Sequence, residues 1–213
     1  FSPDGRYALT GASDRAARRK EVASGGELRI FRGHTGSVSS SSVAFSPDGR
    51  YALTVSGDTA KLWEVANGQE VRTFEGGLTD SVNSVAFSPD GRYALTGSSD
   101  DTAKLWEVAT GREVRSFEGH VGSVNSVAFS SDGRYALTGS WDYTAKLWEI
   151  ASGREVRSLE GHLSSVSSVA FSPDGRYALT GSWDDTAKLW DVASGRELRT
   201  FAGHSERVRS VAF

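Results

Sequence analysis

The chain has 213 residues, a net charge of −3, 24% charged side chains and no cysteine. That balance carries no excess that would commit it to nucleic acid or a membrane surface. The missing thiols exclude disulfides, thiolate nucleophiles and cysteine-ligated zinc. A chain without cysteine fits a reducing compartment, so a cytoplasmic location is expected, and no apolar run is long enough to form a membrane-spanning helix.

The chain opens on FSPDGRYALT, and the phrase returns. It stands at Phe1, Phe45, Phe87 and Phe171, and as FSSDGRYALT at Phe129, while Phe213 would begin another copy. The spacing is 44 residues once and 42 thereafter, a period that decides the architecture before any local reading. The units are 1–44, 45–86, 87–128, 129–170 and 171–212, a single array over 1–213. Because it opens inside a repeat, the sequence reads as a piece of a longer chain.

Taken in order, the first unit is degenerate. It has GASDRAARRKEVASGG where the third has GSSDDTAKLWEVATGR, so Lys20 replaces Trp106, Arg19 replaces a leucine and Ala12 a serine. RAARRK could be a nucleic-acid or targeting patch. A decayed terminal repeat is the preferred reading, since terminal repeats are often atypical, and no nucleic-acid partner is expected. Next, SVSSSSVAF, ending at Phe45, is two residues longer than the later SVNSVAF, which predicts a bulge or slack loop.

The regular units carry four strand-like pieces. From Ser123 these are SVNSVAF, the Gly-containing turn SSDG suited to a tight hairpin, RYALTGS, the turn WDYT, AKLWEI, the turn ASGR, and EVRSLE. No segment sustains a helical period. A four-stranded antiparallel sheet of this size cannot bury both faces alone and must stack on its neighbours, which predicts an all-β fold: a β-propeller with about five blades present, which the cut points of the sequence and the resemblance given below make part of a larger propeller.

The Gly-His pair, SVNSVAFSSDG, the Ser-x-Asp turn and LWE together resemble the WD40 repeat over the whole chain, in the phrasing of bacterial members with highly similar repeats. The closing dipeptide is Trp63-Glu64, Trp106-Glu107, Trp148-Glu149 and Trp190-Asp191. The resemblance implies a hydrogen-bonded set in each blade, from the His of Gly-His, a second-strand Ser, a turn Asp and the third-strand Trp. Carried over, the sets are His34, Ser56, Asp58, Trp63; His120, Ser140, Asp142, Trp148; and His162, Ser182, Asp184, Trp190. In the blade of Ser98, Asp100 and Trp106 the His position is Gly77, so that set should be incomplete and weaker by about 1–2 kcal/mol.

Ser, His and Asp together invite a hydrolase reading, but a catalytic constellation is needed once and this one recurs. No Gly-x-Ser-x-Gly elbow, phosphate loop, His-Glu-x-x-His or calcium loop is present. The chain is therefore read as non-enzymatic, with no cofactor and no metal.

Positions that vary between units are free to serve a partner. The residue before the turn Asp is Gly57, Ser99, Trp141 or Trp183, and the one after it is Asp101, Tyr143 or Asp185. The resemblance places these turns on the propeller's top face. Ser99, Asp101, Trp141, Tyr143, Trp183 and Asp185 are thus the candidate partner-binding residues, with packing across the blade seam as the competing reading of the aromatic rings. On the opposite face Arg50, Arg92, Arg134 and Arg176 should gather near Arg112, Arg154 and Arg196 as a solvated rim paired in part with its own aspartates, such as Asp132 with Arg134.

The resemblance implies an interaction scaffold for a protein or peptide. Other readings are a sensor for a larger bacterial effector, or an amplified structural array without a dedicated ligand. The C-terminal VRSVAF could complete the N-terminal blade, pair with further blades of a longer chain, or join a second copy.

Overall fold

The computed structural model describes residues 1–38, 43–74 and 79–213. These hold nineteen strands and no helix. The irregular stretch before Phe45 and the Gly77 position both fall on residues outside this description. Strands β1 (Tyr7–Gly11), β2 (Ala16–Glu21) and β3 (Glu27–Arg32) form a three-stranded sheet. Four-stranded sheets follow: β4 (Val43–Phe45), β5 (Tyr51–Ser56), β6 (Thr59–Glu64) and β7 (Glu70–Phe74); β8 (Val82–Phe87), β9 (Tyr93–Ser98), β10 (Ala103–Glu107) and β11 (Glu113–Phe117). The last two are β12 (Val124–Phe129), β13 (Tyr135–Ser140), β14 (Ala145–Glu149) and β15 (Glu155–Leu159); and β16 (Val166–Phe171), β17 (Tyr177–Ser182), β18 (Ala187–Asp191) and β19 (Glu197–Phe201). Consecutive strands are neighbours in every sheet, the meander of a propeller blade.

Two compact units result, residues 1–96 with 105–114 and residues 97–104 with 115–213. In the first, Leu53, Leu62 and Phe74 pack with Val82, Ala94 and Trp106. There too, Phe31 packs with Ala52 and Trp63. In the second, Leu137, Ala145 and Leu159 pack with Val166, Val169, Ala178 and Trp190. The cores therefore lie between successive sheets, and the second strand of each four-stranded sheet is buried on both faces.

That explains YALTGS. Its alternate residues face opposite neighbours, and the glycine lets the next sheet approach. A Cβ on Gly139 would stand 2.7 Å from Val166 Cγ1 and 2.8 Å from Val169 Cγ1. Gly181 has the same relation to Val208 and Val211, although residues 202–213 contain no strand. β19 is exposed along its length: Phe201 is 43% exposed, whereas Phe31, Phe74, Phe117 and Leu159 are buried.

Where the sequence suggests a tight hairpin, the first and second strands are joined by five residues, as at 130–134 between β12 and β13. The Ser130 hydroxyl donates to Asp132 and accepts the Tyr135 N–H, while Gly133 takes φ 69°. The aspartate of this turn accepts the backbone N–H of Arg134, while the guanidinium lies 5.5 Å from the Tyr135 ring centroid. Arg50, Arg92 and Arg176 repeat the tyrosine contact, so the expected Asp–Arg side-chain pairing is replaced by backbone capping and cation–π stacking.

Another set of arginines, unremarked in the sequence, ties successive sheets. Arg72 donates to the carbonyls of Ala109 and Thr110, Arg115 to those of Ala151 and Ser152, and Arg157 to that of Ala193.

Of the basic run RAARRK, all but Arg15 lies in β2. Lys20 pairs with Ala8 across β1 and β2 as Trp148 pairs with Ala136, so it occupies a tryptophan position. Arg18 is bound to Asp14 and Glu27, while Arg19 lies over Tyr7 and donates to the Val65 carbonyl. Arg18 and Arg19 are thus engaged within the fold.

Candidate functional site

The repeated hydrogen-bond set forms, but with a different hydroxyl from the one expected. Trp148 Nε1 donates to Thr138 Oγ1 at 2.8 Å, and the same oxygen lies 2.7 Å from His120 Nε2. His120 Nδ1 is 2.7 Å from Asp142 Oδ2. Trp190, Thr180, His162 and Asp184 repeat this arrangement. A neutral histidine protonated at Nδ1 satisfies every member: tryptophan donates to threonine, threonine to Nε2, and Nδ1 to the carboxylate. The linking residue is therefore the Thr of YALT and not Ser140 or Ser182. The register decides this, because Thr138 lies opposite Lys146, two residues from Trp148 on the neighbouring strand. Ser140 instead donates to the Gly122 carbonyl and accepts the Asp142 N–H, and Ser182 does the same with Ser164 and Asp184.

Asp142 also accepts the Val121 N–H, and its partner oxygen accepts from Thr144 N and Oγ1. Burial opposes ionisation, but the bonds from His120 and Thr144 prevail and hold the carboxyl far below its ordinary range. Asp184, against the same opposition, is held down at about 2 by Thr186, the Leu163 N–H and His162. Burial lowers the pKa of His162 despite Asp184. Each aspartate thus pins the loop after Gly-His to the turn between the second and third strands.

The sheet of β4–β7 departs from this. Trp63 donates to Thr54, which lies 2.7 Å from His34 Nε2, but Asp58 does not reach His34. The turn Gly57-Asp58 is one residue shorter than Ser99-Asp100-Asp101, with Ser56 paired directly to Thr59. It is a two-residue hairpin turn with Gly57 at φ 58°, which turns Asp58 to solvent. His34 Nδ1 and Ser56 Oγ are buried without a hydrogen-bond partner among the described residues. Burial, with Lys61 adding to it, pushes His34 down to about 4. In the blade of β8–β11, Trp106 donates to Thr96, and Asp100 caps Thr102.

The variable turn residues converge in the second unit. Trp141 and Tyr143 are each half exposed, at 51% and 50%. The rings of Trp141 and Trp183 lie 6.0 Å apart at 52°, and Arg207 stacks 4.1 Å from the Trp183 centroid. Trp141 N donates to Ser123 O and Trp183 N to Ser165 O, so each turn is seated on the loop that precedes the first strand of its own sheet. Asp101, Tyr143 and Asp185 share a left-handed backbone, at φ 68°, 73° and 66°. Val121 and Leu163, beside the two aspartates, are 86% and 85% exposed. Trp183 therefore packs across the seam, while Trp141 and Tyr143 remain half exposed.

Two contributors escaped the sequence reading. Thr10, Thr54, Thr96, Thr138 and Thr180 are identical in every unit, while the serine two places on becomes Ala12 in the first; that contrast was the available signal. Arg207 stands where Ser81, Ser123 and Ser165 precede the first-strand valine in earlier units.

Four-stranded meander sheets, two of them locked by a complete Trp–Thr–His–Asp relay, define a β-propeller of the WD40 type. The sequence matches the family described as IFT122 first beta-propeller over residues 39–213, and the chain belongs to that family. No curated protein matches it.

Proposed function

We propose that this chain is a protein-interaction scaffold that holds a protein or peptide partner on the turns 141–143 and 183–185. The observation that carries the reading is the half-exposed Trp141–Tyr143 turn, anchored from below by Asp142. Large aromatic residues on a rigid support lose little conformational freedom on binding and are common interface anchors. The recurring His, Thr and Asp groups are spent on joining strands to loops, which supports a non-catalytic role.

The test is recovery of a partner from native extract, its identification, and direct binding of the purified partner. Wild type should retain it, and Trp141→Ala/Tyr143→Ala should weaken binding at least tenfold with an unchanged unfolding midpoint. Equal affinity for the folded double variant would sink the reading.

A further inference from the structure

The turns 141–143 and 183–185 carry a chemical preference beyond being aromatic. Arg207 places its guanidinium 4.1 Å from the centroid of Trp183, and Trp183 in turn lies 6.0 Å from Trp141. The row thus runs cation, indole, and a second indole tilted at 52°, and it ends on a ring that is half exposed. Indole faces are the best side-chain surfaces for a cation, and guanidinium is the cation that stacks most readily, being planar and weakly hydrated.

The surrounding charge agrees. Loops 118–123, 141–143, 160–165, 183–185 and 202–207 contain the carboxylates Glu118, Glu160, Asp185 and Glu206, besides Asp142 and Asp184, which are buried in the relay. Against them stands one guanidinium, Arg207, already spent on Trp183. Hydrogen bonds join these segments: Val121 N to Asp142, Leu163 N to Asp184, and Trp183 N to Ser165 O. The site is therefore an aromatic platform set among carboxylates, with exposed Leu163 and Val121 beside it.

We infer that Trp141 and Tyr143 receive an arginine side chain of a protein or peptide partner, which extends the row Arg207, Trp183, Trp141. This rests on the proposed interaction role and adds to it the chemistry of the partner. A lysine would meet the same carboxylates but loses the planar stacking, so arginine should be preferred to lysine, and both to an uncharged isostere.

The test uses the full chain, labelled with nitrogen-15, and the pentapeptide acetyl-Gly-Arg-Gly-Arg-Gly-amide. Citrulline, lysine and phenylalanine versions are its comparators. The chain has six tryptophans, and the indole N–H groups of Trp63, Trp106, Trp148 and Trp190 donate to buried threonines. Those four signals report an intact fold, and those of Trp141 and Trp183 report the site.

The arginine peptide should shift the Trp141 and Trp183 signals alone. Its apparent affinity should be about fivefold above that of the citrulline version, the ratio that a single exposed cation–π contact supports. The preference should shrink as salt is raised from about 0.05 to 0.5 M, because the Debye length falls from roughly 14 to 4 Å. Trp141→Ala should abolish the response while leaving the four buried signals in place. Equal binding of the citrulline peptide, or tighter binding of the phenylalanine peptide, would overturn the arginine assignment and leave the docking surface standing. Silence at both indoles with every peptide would also overturn it, and the partner-capture experiment would then judge the interaction role separately.

Discussion

His34 gives the sharpest test of the energetics. Its Nε2 is bound to Thr54, but its Nδ1 is buried with no partner among the described residues, and the imidazole titrates at about 4. A histidine in the unfolded chain titrates near 6.5. Between those values the unfolded state binds a proton that the folded state refuses, so stability is complete above pH 6.5 and declines as the pH falls towards 4. The accumulated loss is about 3 kcal/mol. Inserting one aspartate after Gly57 restores the turn length of residues 98–102 and offers Nδ1 the acceptor that His120 and His162 have at 2.7 and 2.8 Å. The new bond should add about 1–2 kcal/mol at pH 7, since lengthening a loop by one residue costs only tenths. It should also raise the pKa of His34 and so reduce the acid loss. Urea unfolding read from the Trp63 indole signal at pH 7 and pH 5 measures both effects, and the midpoint at pH 7 should rise by roughly half a molar. The slope contributed by His162 is common to both proteins. An unchanged midpoint together with an unchanged pH dependence, or a wild-type His34 that titrates near 6.5, would refute the reasoning.

Thr138→Val deprives Trp148 Nε1 and His120 Nε2 of their shared partner and should cost about 2–4 kcal/mol in urea unfolding; Ser140→Ala should cost less. Gly139→Ala drives a methyl group into Val166 and Val169 and should cost about 1–3 kcal/mol by the same measurement. Asp184 titrates at about 2, so its contribution is fully present above pH 4 and lost as the pH falls towards 2. Asp184→Asn should remove about 2 kcal/mol at pH 7 and flatten that acid limb. Tyr143→Asn relieves a left-handed tyrosine and should raise stability by up to about 1 kcal/mol in thermal unfolding, while binding of the partner falls.

The blades were legible because their signal repeats. FSPDGRYALT and AKLWE set both the turns and the alternation, and the strands fall where those phrases predict. What could not be read was register across strands. Thr138 and Ser140 lie on the same face of one strand, and only the pairing of Ala136 with Trp148 decides which hydroxyl the indole meets. The same limit hid the shortened turn at Gly57. Aligning Asp58 with Asp142 by its neighbours overlooks the missing residue, and a single deletion in a hairpin changes which side chain faces the histidine. Arg72, Arg115 and Arg157 were missed for another reason: their partners are backbone carbonyls about 37 residues away, to which side-chain identity gives no clue.

Under the proposed interaction role, stability and recognition would fall on different positions of this repeat. The threonine recurs in every unit and the tryptophan in all but the first; Thr and Trp satisfy each other's buried groups, and losing one orphans the other. The turn residues around Asp142 and Asp184 carry no such obligation, yet two of them are costly. Trp141 leaves half an indole in water, and Tyr143 occupies a backbone region that aspartate tolerates better, as Asp101 and Asp185 do at the same place. Neither choice helps the blade fold. Both sit on a turn that Asp142 fixes through His120, Val121 N and Thr144, so the rigid relay beneath supports an unfavourable surface above it. A surface kept against local preference, on the best-anchored turn of the unit, is where a partner's contribution would outweigh the cost.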